Sequence, residues 1–142
     1  MIVADTNLIA AFFLGPGAAV AERVLQRDAA WAAPALWRSE FRSVLFGYVR
    51  RGHLTASSAM LFNERAEQLL APREYTIAAD AVLRLAEECD CSAYDCEYVV
   101  LARELRVPLV TWDRQVLRAF PAIAVTPEGF GKRQEARGKR QE

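Results

Sequence analysis

Short apolar runs alternate with longer amphipathic stretches along most of the chain, and this alternation limits the folds open to it. Five runs are predicted to be buried strands: residues 1–5, 31–33, 74–77, 107–111 and 122–125. Between them, apolar residues spaced along one helical face predict helices at residues 6–14, 18–27, 36–51, 55–72, about 80–86, 92–105 and 114–119. Strands that alternate with helices form parallel sheets covered by helices. We therefore predict an α/β domain with a central, mainly parallel sheet.

The length and hydrophobicity of the chain suit one globular domain. With 142 residues, 53% of them hydrophobic, it can bury roughly two-thirds of its unfolded surface. The apolar run at residues 8–14 is too short to span a bilayer, and no basic residue precedes Asp5 as in a signal peptide. We expect a cytoplasmic protein that does not associate with a membrane.

The scarcity of certain side chains argues against several kinds of site. Residues 1–131 contain no lysine, which removes a phosphate-loop lysine, a Schiff-base lysine and the lysine of receiver-type phosphoacceptor sites. His53 is the only histidine, so triads and metal sites built on histidine are poorly supported. The three clustered cysteines are Cys89, Cys91 and Cys96. Their odd number and the lack of a second Cys or His cluster favour reduced, partly buried thiols over disulfides or zinc.

The end of the chain differs in composition from the rest. The sequence Gly-Lys-Arg-Gln-Glu occurs at residues 131–135 and again at 138–142, with no apolar residue larger than alanine in this segment. We therefore divide the chain into a core domain, residues 1–131, and a basic polar tail, residues 132–142, that is flexible and stays outside the core. The alternatives are a basic arm that assists nucleic-acid binding and a helix that packs on a neighbouring chain.

Four acidic residues stand at the boundaries of the predicted elements. Asp5 ends the first strand and Asp113 follows the fourth, whereas Glu40 and Asp95 lie near the starts of two helices. The carboxyl ends of parallel strands meet at one edge of the sheet, where α/β proteins bind ligands. Each acid alone has an ordinary explanation as a helix cap or a solvated side chain. Gathered at one edge, the four would repel one another unless a cation neutralised them.

Glu40 is the least ordinary of the four acids. It lies on the shoulder of the buried face of its helix, where a carboxylate without a positive partner costs desolvation energy. Oxygen ligands favour Mg²⁺ or Mn²⁺ over zinc, and such an ion can activate water and stabilise charge on a phosphodiester. The side chains of Thr6, Asn7 and Thr111 can orient metal-bound water. The acids therefore predict a divalent-metal site for chemistry on phosphates.

The acids lie within four short motifs. These are Ile-Val-Ala-Asp-Thr-Asn at residues 2–7, Pro-Ala-Leu-Trp-Arg-Ser-Glu at 34–40, Ser-Ala-Tyr-Asp at 92–95 and Pro-Leu-Val-Thr-Trp-Asp at 108–113. Together they resemble the signatures of PIN-domain ribonucleases, and most of all the VapC toxins of bacterial toxin–antitoxin pairs. One such motif has little specificity, whereas four in order over nearly all of residues 1–130 are specific. The resemblance implies a three-layer α/β/α PIN-like domain.

The resemblance also implies an activity and partners. It implies an endoribonuclease that depends on Mg²⁺ or Mn²⁺, acts as the toxin of a type II toxin–antitoxin system and often forms a homodimer. The antitoxin would inhibit it by placing a C-terminal segment, often with an arginine, in the acidic pocket. The catalytic, metal-binding acids of the family correspond to Asp5, Glu40, Asp95 and Asp113. Its accessory polar positions correspond to Thr6, Asn7 and Thr111. The basic tail departs from the family pattern, which ends near residues 126–130.

Binding of an RNA substrate requires positive charge, because phosphate contacts are mainly electrostatic. In residues 1–131 the acidic residues outnumber the arginines, so only local arginines can serve. Arg38 and Arg42, four residues apart beside Glu40, are the candidates; ordinary pairing with surface acids is the alternative. The helices around residues 36–70 are the candidate face for a homodimer.

Two other functions stay open at this point. The first is a PIN fold that binds RNA or protein without cleaving, which the full set of four acids disfavours. The second is a phosphatase of the haloacid-dehalogenase type, which also begins with a strand ending in aspartate. That class has the pattern D-x-D-x-T, and Asn7 stands here in place of its second aspartate.

Overall fold

A five-stranded parallel sheet forms the centre of the computed structural model, which describes residues 1–132. The strands are β1 (Ile2–Ala4), β2 (Trp31–Pro34), β3 (Glu74–Tyr75), β4 (Leu109–Val110) and β5 (Ala124–Val125). They lie in the order β3-β2-β1-β4-β5, and every neighbouring pair is parallel. The central strand β1 is apolar throughout and fully buried, as expected of a strand covered on both faces. The predicted α/β class with a parallel sheet is confirmed.

Helices connect and flank the strands. They are α1 (Thr6–Phe13), α2 (Ala18–Arg27), α3 (Trp37–Arg50), α4 (Ala56–Leu70), α5 (Ala79–Glu87), α6 (Ala93–Leu105) and α7 (Arg114–Ala119). Helix α6 packs against β1, β2 and β4, and α4 packs against β2. Helix α6 can lie in the centre of the molecule because it is apolar over most of its circumference, with a buried run from Tyr98 to Ala102. The helix that carries Asp95 is thus anchored in the core.

Helix α3 illustrates how the apolar spacing determines packing. Trp37, Phe41 and Leu45 recur every four residues and are buried on one stripe. The ring of Phe41 packs on that of Phe13 in α1, with centroids 5.8 Å apart. The chain leaves α3 through Gly52, which has a φ of 76° that glycine adopts without strain. This stripe orients the whole helix and so determines where Glu40 points.

Four of the five predicted strands are shorter in the structure than the sequence suggests, the fifth being reduced from residues 122–125 to β5, and helix α4 is the most shortened of the helices. The fourth strand, predicted over residues 107–111, is reduced to β4, because the amide of Val107 still bonds to the carbonyl of Ala102 in α6. The third, predicted over residues 74–77, is only two residues long. Helix α4 ends at Leu70 because Pro72 has no amide hydrogen with which to continue it. Thr55 caps that helix as predicted.

The strand order creates a switch point between β1 and β4. From β1 the chain first builds the sheet outward through β2 and β3, and then returns to the other side of β1 with β4 and β5. Ligands of open parallel sheets bind at such a point, in the crevice beyond the carboxyl ends of the strands. Asp5 follows β1 directly, and Thr111 follows β4. The topology therefore brings the ends of the first and fourth predicted strands together.

Two further predictions concern the basic tail and the membrane. Of the predicted tail, only Lys132 is described, at the end of helical residues 127–132, and the remainder lies outside the described residues. In the part of the chain that is described, no single helix is long and apolar enough to cross a membrane. Helices α1 and α2 reach that length and composition only together, across a bend of 111°.

Candidate active site

Asp5 and Thr111 meet where β1 and β4 end. The amide of Asp5 donates to the carbonyl of Val110 at 3.2 Å, which holds the two strand ends level. The fully buried hydroxyl of Thr111 donates to Oδ2 of Asp5 at 2.6 Å and accepts from the amide of Asp113 at 2.9 Å. Nδ2 of Asn7 donates to the same hydroxyl at 3.3 Å. One buried hydroxyl thus connects two of the predicted acids to an accessory polar residue.

Glu40 reaches the same edge of the sheet from α3. Its Oε1 accepts a hydrogen bond from the hydroxyl of Tyr98 at 2.7 Å and lies 3.1 Å from the hydroxyl of Thr6. Thr6 directly follows Asp5, so this contact brings Glu40 beside the end of β1. Glu40 is half-buried, as its position on the shoulder of the helix predicts. The desolvation cost of this acid is offset by its contacts with these hydroxyls.

Three of the acids also lie at helix starts, as their ordinary explanations require. Oδ1 of Asp5 accepts from the first amide of α1 at 2.7 Å, and Oδ1 of Asp113 caps α7 at 3.0 Å. The hydroxyl of Ser92 caps α6 and accepts from the amide of Asp95 at 3.0 Å. These caps use one oxygen of Asp5, one of Asp113 and neither of Asp95. Helix capping is therefore compatible with membership of a shared site.

The electrostatics show that the acids act on one another. The pKa of Asp5 is raised from 3.8 to about 6, chiefly because the carboxyl is buried. Hydrogen bonds from Thr111 and Thr6 oppose this rise, whereas the negative charges of Glu40 and Asp95 add to it. The structure therefore brings Glu40 of α3 and Asp95 of α6 within electrostatic reach of Asp5 at the end of β1. A positive ion among them would favour the ionised form of Asp5.

The donor chemistry of this cluster fits a small, hard cation. Within residues 1–132, no three His, Cys, Asp or Glu side chains are arranged to surround a metal ion. Such an arrangement is unnecessary for Mg²⁺, which is commonly held by one or two carboxylates and keeps several waters. Several carboxylate oxygens have no hydrogen-bond donor in that part of the chain: Oε2 of Glu40, Oδ2 of Asp113 and both oxygens of Asp95. The residues present therefore fit Mg²⁺ or Mn²⁺.

Two residues that the sequence analysis did not single out belong to the site. Tyr98 of α6 bonds to both Thr6 and Glu40. Glu97 is half-buried, and its pKa is raised by that burial and by the charge of Glu40. Tyr98 lies three residues after Asp95, on the same face of the helix, and this spacing could have identified it. The position of Glu97 offers no comparable signal.

The two arginines proposed for RNA binding differ in their surroundings. Arg38 forms a bidentate pair with Glu74, at 2.7 and 2.8 Å, and a further ion pair with Glu67 at 2.8 Å. Arg42 is more exposed, and its guanidinium lies 4.0 Å from Glu67. Ordinary pairing with acids, the alternative stated above, thus describes Arg38. Arg42 is the freer of the two, and the RNA-binding role of either stays a prediction.

The cysteines lie behind the first turn of α6. Cys89, Cys91 and Cys96 are free thiols, as predicted, and the sulfurs of Cys89 and Cys96 are 3.7 Å apart. The pKa is raised to about 11 for Cys91 and to about 12 for Cys96, chiefly because both thiols are buried. The negative charge of Asp95 contributes to both shifts. Thiols held protonated in this way are poor nucleophiles. They pack against the acidic site without adding a reactive group.

Comparison with solved structures finds the same fold in proteins of similar size. PAE2754 from Pyrobaculum aerophilum has a TM-score of 0.75 at 23% identity, over 95% of this chain and 96% of that one. A toxin–antitoxin complex from Klebsiella pneumoniae has a TM-score of 0.66 at 20% identity, over 89% and 98%. VapC20 of Mycobacterium tuberculosis, a sarcin-ricin loop cleaving toxin, has a TM-score of 0.63 at 18% identity, over 84% and 95%.

At these identities the likeness establishes the fold. The chain has the α/β PIN-like fold that its four motifs predicted, and it shares this fold with VapC20 and the other solved structures. No family model matches the sequence, and no curated protein matches it. The residue roles implied by the resemblance therefore depend on the geometry of the site.

Proposed function

We propose that this protein is an endoribonuclease that depends on Mg²⁺ or Mn²⁺ and serves as the toxin of a toxin–antitoxin pair. The observation that carries the proposal is that Asp5, Thr111 and Glu40 meet at the switch point of the sheet, where burial and the charges of Glu40 and Asp95 raise the pKa of Asp5. Acids with perturbed pKa values, gathered at the ligand-binding edge of a parallel sheet, are typical of a functional site.

The acids have separate roles in this proposal. Asp5 and Asp95 would supply the two carboxylates that hold the principal metal ion, Asp113 would assist from beside them, and Glu40 would position a water molecule or a second ion. When bound, the metal would supply Lewis acidity for attack of water on a phosphodiester. Around the metal-binding acids, Thr111 holds Asp5 in one orientation by the 2.6 Å hydrogen bond. Without such support, small misplacements of a reacting group lower the rate strongly.

The fold neighbours support RNA as the substrate and an antitoxin as the partner. One neighbour is a sarcin-ricin loop cleaving toxin and another was solved as a toxin–antitoxin complex. In this chain, Arg42 beside the acidic edge is the candidate contact to phosphate. We also propose a homodimer through α3 and α4, where Phe46, Met60 and Leu61 are exposed apolar residues.

The proposal is tested by incubating the purified chain with end-labelled RNA that contains single-stranded and stem-loop regions. Cleavage is expected with Mg²⁺ or Mn²⁺ and not with a chelator. The Asp5→Asn and Asp95→Asn variants should lose cleavage while remaining folded by circular dichroism. Asp80→Asn, which neutralises an exposed aspartate at the start of α5, is the matched control and should cleave normally.

Three outcomes would contradict the proposal. Unchanged cleavage by either folded variant would remove the acids from the reaction. Metal-dependent RNA binding without cleavage would favour a silent PIN fold. Release of phosphate from a small phosphomonoester, with RNA left intact, would favour the phosphatase alternative.

A further inference from the structure

The hydroxyl of Tyr98 lies at the point where three elements of the site meet. Tyr98 is on α6 and only 2% exposed, yet its phenol oxygen is 2.6 Å from the hydroxyl of Thr6 and 2.7 Å from Oε1 of Glu40. Thr6 begins α1, and Glu40 belongs to the first turn of α3. A buried hydroxyl with two polar contacts of this length is not explained by apolar packing alone.

The direction of the hydrogen bonds follows from the number of protons. The carboxylate of Glu40 can only accept, and each hydroxyl has one proton to donate. The phenol is the stronger acid of the two hydroxyls and has the shorter contact to Oε1, 2.7 Å against 3.1 Å for Thr6. Thr6 then donates to the phenol oxygen at 2.6 Å, which makes a chain from Thr6 through Tyr98 to Glu40. Charge-assisted bonds of this kind are the strong ones.

This chain leaves one oxygen of Glu40 without a donor. Oε1 accepts from the hydroxyl of Tyr98 and lies 3.1 Å from that of Thr6, and Oε2 has no hydrogen bond within residues 1–132. A phenol, with an ordinary pKa of about 10, keeps its proton at neutral pH and is a donor. The hydroxyls therefore restrict how Glu40 can rotate and leave Oε2 available.

We propose that Tyr98 is a positioning residue for the proposed RNA hydrolysis, because its hydroxyl holds the carboxylate of Glu40 in place relative to Asp5 and Asp95. The same helix carries Asp95 in its first turn, three residues earlier. Tyr98 thereby couples the acid of α3 to the acid of α6 through one side chain. This inference rests on the proposed function, and it assigns to Tyr98 no contact with RNA.

The test is the Tyr98→Phe variant, which removes the hydroxyl and keeps the ring that fills the core. The kcat for metal-dependent RNA cleavage should fall roughly tenfold to a hundredfold, as expected for misplaced reacting groups. The KM for RNA should stay unchanged, since Tyr98 is buried. Tyr75→Phe is the matched control, because the Tyr75 hydroxyl has no hydrogen bond in the described part of the chain. It should leave kcat unaltered.

A double-mutant cycle separates positioning from a general loss of stability. If Tyr98 acts through Glu40, adding Tyr98→Phe to Glu40→Gln should reduce kcat no further than Glu40→Gln alone. Additive losses, or a kcat for Tyr98→Phe equal to that of the unaltered chain, would overturn the inference while the proposed nuclease stands. Absence of metal-dependent cleavage by the unaltered chain would overturn the proposed function, and the role of Tyr98 with it.

Discussion

The hydroxyl of Thr111 donates to Oδ2 of Asp5 across the junction of β1 and β4, at 2.6 Å. The same hydroxyl accepts from Asp113 and Asn7, so its single proton and its lone pairs are all in use. Through these three polar contacts, the fully buried Thr111 side chain holds Asp5, Asn7 and Asp113 in fixed positions relative to one another. The order of the site therefore depends on a residue that is not itself acidic.

Replacement of Thr111 by valine should weaken both the fold and the site. The amide of Asp113 and the carboxyl of Asp5 would each lose a buried partner, which costs roughly 1–3 kcal/mol for each group left unsatisfied. Urea unfolding measures the loss of stability, and the cleavage assay measures the loss of activity. Thr111→Ser keeps the hydroxyl and should retain most of both. Equal stability of the valine and serine variants would contradict this account.

The stability of the metal-free protein should depend on pH through Asp5. The pKa of Asp5 is about 6 in the folded chain against an ordinary value of 3.8, so the folded state binds this proton more tightly than the unfolded state. Asp5 therefore contributes fully to the free energy of unfolding below pH 3.8. This contribution is lost as the pH rises through 3.8 to about 6. The loss should be on the order of 2–3 kcal/mol, at about 1.4 kcal/mol per pKa unit.

Chemical unfolding between pH 4 and 7 in a chelator, compared between the unaltered chain and Asp5→Asn, isolates this contribution. The difference between the two free energies should grow in favour of the variant as the pH rises. A difference that stays constant over this range would show that Asp5 titrates normally.

Asp5→Asn should also exchange activity for stability. At pH 7 without metal, the variant removes a buried negative charge, so its free energy of unfolding should be about 1–2 kcal/mol higher than that of the unaltered chain. The gain is limited because the Thr111 hydroxyl loses its charged acceptor. Thermal unfolding by differential scanning calorimetry measures this change. With Mn²⁺ added, the unaltered chain should be stabilised and the variant should not. Equal stabilisation of both by Mn²⁺ would place the metal elsewhere.

The two arginines near Glu40 should separate into a structural one and an RNA-binding one. Arg38→Ala breaks the pairs to Glu74 and Glu67 and should reduce stability by roughly 1–2 kcal/mol. Arg42→Ala should leave stability unchanged and weaken binding of single-stranded RNA, with the salt slope reduced by about 0.7 for one lost phosphate contact.

Fluorescence anisotropy with labelled RNA, in an Asp95→Asn background that does not cleave, measures both the affinity and the slope. Arg84→Ala, on an exposed position of α5, is the matched control for loss of one positive charge. If the Arg42 and Arg84 variants bind RNA equally well, Arg42 makes no contact to phosphate.

The parts of the site that follow strands could be predicted from the sequence. Asp5, Thr111 and Asp113 come together because parallel strands end at one edge, whatever the details of packing. The contact between Tyr98 and Glu40 could not be predicted in this way. It depends on the rotation of α6 against α3, and that rotation results from packing of the whole core.

Charge pairing was equally hard to anticipate. Arg38 was identified as a candidate RNA contact because it lies beside Glu40, but its partners Glu74 and Glu67 are distant in sequence. Glu74 is brought close by β3, which pairs with β2 just before α3 begins. Local spacing contains no information about such partners, so the assignment of surface charges requires the fold.

The central claim is that the four acids form one site for a divalent cation, and calorimetric titration of Mn²⁺ tests it most directly. Asp95 is the best position for the variant, because its carboxylate has no hydrogen bond within residues 1–132 and its replacement by asparagine should leave the fold intact. The unaltered chain and the Asp80→Asn control should both bind Mn²⁺ with the same affinity, and Asp95→Asn should bind at least tenfold more weakly, in keeping with loss of about 1.4 kcal/mol or more. Binding of Mn²⁺ by Asp95→Asn that equals binding by the unaltered chain, or no binding by either, would contradict the account.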